Sequence, residues 1–199
     1  MHLHLFTLKR LSAAAVVAGA AALIPAAAVA TSAPSAAAAP RDIQTPCQTS
    51  GLDIWAAANR GSSYAGGYYD TIYLTNMSGH TCVLLGYAGV TAVGLSGNQI
   101  GSPAGWERGT AATLVTLAQD QTAAILVQVG DPANYGPTCF QPGTGHPGRV
   151  PLAAGLRVYP PNTSAAKVAP LPVLACYHTG PVWMHTDPAQ GPVIPPYQG

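Results

Sequence analysis

The residues of this 199-residue chain able to do chemistry are few: six histidines, four cysteines, seven carboxylates and a group of tyrosines. His146, His178 and His185 all fall in the last third of the chain. With Asp187 they form a donor set that would suit zinc or copper. The spacing from His178 to His185 matches no standard ligand pair, and His80 sits in a turn. The expectation is therefore loop histidines without a metal or cofactor. Nucleophilic catalysis needs a nucleophile, a base and an orienting group. Serine and histidine are present, but no GxSxG turn carries them. The seven acids stand singly, so no pair is marked for glycoside cleavage. No catalytic residue is assigned and no enzymatic activity is expected. The alternative retained is a secreted hydrolase or metal-binding protein using the loop histidines.

Aromatic residues are the stronger lead. Tyr64, Tyr68, Tyr69 and Tyr73 cluster in and before one strand-like run. Within it Tyr69, Thr71, Tyr73 and Thr75 alternate with Ile72 and Leu74, which places the two sets on opposite faces. An exposed face carrying Tyr64, Tyr69 and Tyr73 would bind a glycan or an envelope protein, and Trp106 adds a fourth ring. The competing reading is that these rings only cover the second face of the sheet.

The cysteines speak for compartment. Cys47, Cys82, Cys139 and Cys176 are each isolated by more than thirty residues, unlike the close pairs of a thiolate metal site. An even count in an exported chain reads as two disulfides. Three pairings are open and spacing does not choose among them. The local arrangement, Cys47–Cys82 with Cys139–Cys176, is the one favoured. Each bridge would close a loop of roughly 35 residues, worth about 3–4 kcal/mol in the chain-entropy model.

Export is read from the N-terminus. Lys9 and Arg10 precede an apolar run, and Ala28-Val29-Ala30 offers the small residues a signal peptidase reads. Residues 1–30 are expected to be a signal peptide, cleaved after Ala30 or Ala39, with a retained anchor as the alternative. The chain is placed outside the cell, in association with the envelope as one option. After the signal, six basic groups face seven acidic ones, and charged residues make up only 8% of the whole. No basic stripe exists for a nucleic acid or an anionic membrane.

The elements that must position these residues read as strands. Leu52 to Asn59, Tyr68 to Asn76, Thr81 to Leu85, Val90 to Leu95, Ala112 to Leu117, Thr122 to Val129, Leu156 to Tyr159 and Val173 to Tyr177 are strand candidates. Thr81 to Leu85 reads as the returning strand of a hairpin, and Ala118 to Gln121 as a hairpin-like link. Gly61 to Gly67 reads as a loop, as does Gly130 to Gly148. The 22 glycines and 19 prolines punctuate the chain too often for long helices. The inference is an all-β sandwich or barrel, with an antiparallel β-sandwich favoured because disulfides staple such domains, over residues 46–180, after an Ala/Pro/Ser-rich linker at 31–45 and before a Pro-rich tail at 181–199.

One stretch carries a family resemblance. Leu74-Thr75-Asn76, a short turn, Cys82, then Gly86-Tyr87-Ala88-Gly89-Val90 and a turn at Ser96-Gly97-Asn98 resemble the secreted domain-of-unknown-function family numbered 4232. Ala88 stands where that family has proline. Leu117 to Ala123 lacks the family's Pro-Gly hairpin. The resemblance runs from about Cys47 to Cys176. It implies an immunoglobulin-like β-sandwich, found mostly in exported actinobacterial proteins and lipoproteins, and it implies no reaction.

Overall fold

The strand that the alternation marks most clearly is also the one around which the sheet assembles. In a computed structural model, residues 44–140, 149–178 and 182–196 are described, all within one compact unit, Asp42–Gly199. The expected signal peptide lies outside the described residues, as do nearly all of the linker and His146. The strands in chain order are β1 (Leu52–Tyr64), β2 (Gly67–Asn76), β3 (Cys82–Leu85), β4 (Gly89–Val93), β5 (Gln99–Ile100) and β6 (Gly105–Trp106). They continue as β7 (Leu114–Leu117), β8 (Thr122–Gly130), β9 (Leu152–Tyr159), β10 (Lys167–Leu174), β11 (Met184–Thr186) and β12 (Gln190–Val193).

β2 buries Asp70, Ile72, Leu74 and Asn76 and leaves Tyr69, Thr71, Tyr73 and Thr75 half-exposed. It pairs antiparallel with β1 on one side and β8 on the other. β8 buries Ala123, Ile125, Val127 and Val129, leaves Ala124, Leu126 and Gln128 half-exposed, and is central: it pairs with β2, β11 and β12. The larger sheet runs β1-β2-β8-β11-β6, with β12 also on β8. The second sheet runs β10-β9-β4-β5, and β3 pairs with β7. All pairings between strands are antiparallel except β11 with β6. Ile72, Leu74, Ile125 and Val127 from the larger sheet share one core with Val90, Leu156, Val158 and Val173 from the other. This is the expected all-β, antiparallel sandwich.

Several local expectations are corrected. Cys82–Leu85 does not return along β2, because both edges of β2 are already taken. It crosses to β7, and its other edge receives the N-terminal segment, where Cys47 N donates to Val83 O and Val83 N to Thr45 O. The link at Ala118 to Gln121 is likewise a crossing between sheets, with Asp120 in the left-handed region (φ 64°). Gly61 to Tyr64 is strand, not loop: β1 continues through a bulge between Ala58 and Ser63 and turns at Ala65-Gly66. Its glycine and serines mark an irregular ladder, not the end of one.

The C-terminal boundary also moves. Residues 181–199 are expected to be a tail, yet Met184–Thr186 and Gln190–Val193 are strands on β8, and Trp183 is buried to 1% exposure. Proline hides the second of these strands, as it does β10, where Pro170 and Pro172 precede Val173. β10 is an edge strand, so a missing N–H costs no ladder bond in the sheet interior. The first part of the long loop is also structured: Pro132–Cys139 forms 3-10 turns, and Asp131 accepts a bond from Ala133 N.

The disulfides are Cys47–Cys82 and Cys139–Cys176, the favoured pairing. The first ties the N-terminal segment to β3, and the second ties the 3-10 segment to the end of β10. Two disulfides fit an oxidising compartment. Among the described residues no helix is long and apolar enough to cross a membrane.

Candidate functional site

Strand alternation gives the larger sheet an outer face, and cross-strand register decides which side chains meet on it. Trp55 on β1 lies directly opposite Tyr73 on β2. Their rings stack with centroids 4.2 Å apart and planes 23° from parallel. The same row continues to Ala124 on β8 and Gln190 on β12, both small or flexible beside the ring pair. A second row places Tyr69 opposite Gln128, and Gln128 opposite His185 on β11. All of Trp55, Tyr69, Tyr73, Gln128 and His185 are half-exposed.

At the hairpin end of this face, Tyr64 packs on Tyr69 with centroids 5.0 Å apart. Gly67 and Gly130 are cross-strand partners. A Cβ on Gly67 would sit 2.6 Å from the Tyr64 hydroxyl oxygen, and one on Gly130 would strike the Tyr135 hydroxyl. The absent side chains let both rings close over the backbone. Burial pushes the Tyr64 hydroxyl pKa up, and neighbouring Tyr135 and Tyr69 push it further. At the β11 end, alternation from buried Thr186 puts Asp187 on the outer face, beside Glu107. Burial raises the Asp187 pKa, and the Glu107 carboxylate raises it further. The face thus offers flat rings, amides, hydroxyls and a few carboxylates.

The sequence candidates do not form one surface. Tyr64, Tyr69 and Tyr73 share the outer face. Trp106 does not: it lies on β6, at the opposite edge of the sheet from β1. There it stacks on Tyr87, with centroids 5.7 Å apart and planes 17° from parallel, and the Arg108 guanidinium carbon stands 5.6 Å from its ring centroid. Trp106 is 50% exposed. It borders a groove of about 450 Å³ whose walls include Leu85, Tyr87, Tyr159, Pro160 and Asn162. Sequence reasoning missed Trp55 and Tyr87 as ring partners, and Tyr135 as a neighbour of Tyr64. Trp55 carries a usable signal, since it alternates outward with Asp53, but its pairing with Tyr73 depends on register. Tyr87 reads only as part of a turn, and Tyr135 carries no signal at all.

Tyr68 belongs to the other side of the sheet. It lines a cavity of about 370 Å³ with Ala58, Asp70 and Pro172. Burial and the adjacent Asp70 push its pKa up to about 12, against a backbone hydrogen bond with Leu174 that acts in the opposite direction.

The histidines do not gather among the described residues. His178 is exposed and meets Tyr177 edge-on at 5.1 Å, His185 lies within the sheet, and His80 is exposed in its turn. No three His, Cys, Asp or Glu side chains of the described residues come together as a metal site. All four cysteines are disulfide-bonded. Of the two N-x-S/T sequons, Asn76 is fully buried, with its amide nitrogen bonded to His80 O and Leu117 O. Asn162 is exposed, in the left-handed region (φ 61°), and donates to Leu85 O.

Fold and surface together define a disulfide-stapled β-sandwich with an aromatic outer face. The chain belongs to the family of the domain of unknown function DUF4232, whose model matches residues 47–190. That span takes in β11 and reaches β12, in keeping with the C-terminal strands being part of the domain. No curated protein and no solved structure matches the chain.

Proposed function

We propose that this domain is a non-catalytic binding module, working outside the cell or at its envelope, whose outer sheet face takes an uncharged or amino-bearing glycan. The observation that carries this reading is the Trp55–Tyr73 stack, half-exposed on the outer face across the edge pair β1–β2, with Tyr69, Gln128 and His185 in another row of the same face. Aromatic rings supply apolar contact to the C–H faces of sugar rings, while amides, hydroxyls and carboxylates accept and donate to their hydroxyls. Asp53 and Asp187 on the same face oppose an anionic polymer, and the scarcity of charge removes the electrostatic term that nucleic acid requires.

The test is binding of the chain to a panel of immobilised neutral polysaccharides and to envelope extracts. Trp55→Ala combined with Tyr73→Ala should weaken glycan retention at least about tenfold, equivalent to about 1.4 kcal/mol. Unchanged retention by the double variant, or retention only by an envelope protein, would refute the glycan reading.

A further inference from the structure

We propose that the groove at Trp106 is a second, independent site, and that it takes a neutral sugar ring. It stands apart from the outer-face reading in residues and place. Trp55 is on β1 and Trp106 on β6, the two edges of the larger sheet, so four inter-strand spacings separate them. At about 4.8 Å each this is roughly 19 Å, more than one sugar ring spans.

Three features select the ligand. The first is ring surface: Tyr87 and Trp106 stack nearly parallel, and Tyr159 packs against Gly89, where a Cβ would stand only 3.4 Å from the Tyr159 Cβ. The second is fixed polarity. Asn162 is held by its bond to Leu85 O, 2.8 Å long, and Tyr87 by its bond to Thr110 O, 2.6 Å long. The groove therefore interleaves amide and hydroxyl groups with rings, which suits hydroxyls set around a C–H face. The third is charge. Among the described residues no acid or base lines the groove, and the Arg108 guanidinium carbon stands 5.6 Å from the Trp106 ring centroid. That guanidinium already occupies the position a cationic ligand would take over the indole, and it repels a second one. An anionic ligand would find one guanidinium at the rim and no charge within. A neutral ligand fits both facts, and a volume of about 450 Å³ lies within the range of ligand clefts, roughly 300–1,000 Å³.

The site is tested by calorimetric titration of the chain with neutral hexasaccharides: β-1,4-linked glucose, N-acetylglucosamine and xylose, and α-1,6-linked mannose. A polyproline peptide serves as the competing probe, because aromatic grooves also take that helix. Trp106→Ala should weaken one hexasaccharide at least about tenfold at one site while leaving the site lost in Trp55→Ala intact. Tyr159→Ala should reproduce the effect, and thermal melting of both variants checks that the fold is kept. Wild-type affinity and stoichiometry in Trp106→Ala would overturn the groove. So would absence of binding by every hexasaccharide, or binding of polyproline alone at Trp106. Loss in Trp106→Ala with none in Trp55→Ala would leave the groove standing and remove the outer-face reading.

Discussion

Asn76 is the residue on which the crossing from the larger sheet to β3 depends, and its removal has a calculable cost. It ends β2 with 0% exposure. Its amide nitrogen donates to His80 O at 2.8 Å and to Leu117 O at 2.9 Å, and its carbonyl oxygen accepts from Ser78 N at 3.0 Å and Ser78 Oγ at 2.6 Å. Three chain segments are thereby held by one side chain. In Asn76→Ala the buried bond to Leu117 O is lost outright, at about 1–3 kcal/mol for a stranded acceptor. The other three bonds are partly exposed, and His80 O keeps its bond from Ser78 Oγ, so they add about 1 kcal/mol together. The total is about 2–4 kcal/mol. For a domain of this size that lowers Tm by about 4–16 °C.

Urea unfolding with the disulfides intact measures the change, with buried Trp183 contributing to the fluorescence signal; the slope should stay constant while the midpoint falls. Asn76→Asp sharpens the test. It keeps both acceptor bonds but turns a carboxylate toward two carbonyls. At pH 7 it should be no more stable than Asn76→Ala. Its folded pKa would be raised, so the deficit grows as pH rises from about 3.9 through that folded pKa and shrinks in acid. Asn76→Asp with wild-type stability at pH 7, or Asn76→Ala within about 0.5 kcal/mol of wild type, the usual range for an ordinary surface change, would show that the amide does not hold the crossing.

Two further predictions concern the scaffold. Replacing Cys47 and Cys82 together by serine should cost about 3–4 kcal/mol, the loop-closure value for a separation of 35 residues, read as a lower urea midpoint. Tyr68 holds its proton to about pH 12 in the fold, against about 10 in the unfolded chain. Stability should therefore fall as pH rises from 10 through 12, because only the unfolded state loses that proton. Tyr68→Phe should flatten the fall in an alkaline urea series, and an unchanged pH slope would refute the assignment.

Period and topology were unequally legible in the residues. The faces of β2 follow from alternation and the centrality of β8 from its nearly unbroken apolar run, both local properties written into consecutive side chains. The destination of Cys82–Leu85 does not, because it depends on which edges of β2 other strands already occupy. Proline concealed β10 and β12 for a related reason: it is excluded from a sheet interior, yet tolerated at an edge, and edge status is decided by the whole sheet. β11 holds no proline and is three residues long, too short to show a period. The aromatic surface divides in the same way. Tyr69 and Tyr73 share a face by counting alone. The Trp55 stack needs the β1–β2 register, and the separation of Trp106 needs the complete strand order.

The stretch that carries the family resemblance then splits into two kinds of residue. Asn76 and Cys82 secure a crossing between sheets, which is a structural task with measurable cost. Gly86-Tyr87-Ala88-Gly89 forms a turn that also walls the Trp106 groove, with Gly89 small enough to seat Tyr159. If that turn were only a connector, changing its half-buried ring, Tyr87, would matter little to either stability or binding. The stacking of Tyr87 on Trp106 argues instead that the turn is shaped around a surface, and the same hexasaccharide titration applied to Tyr87→Ala separates the two: weakened binding supports the surface, wild-type binding the connector.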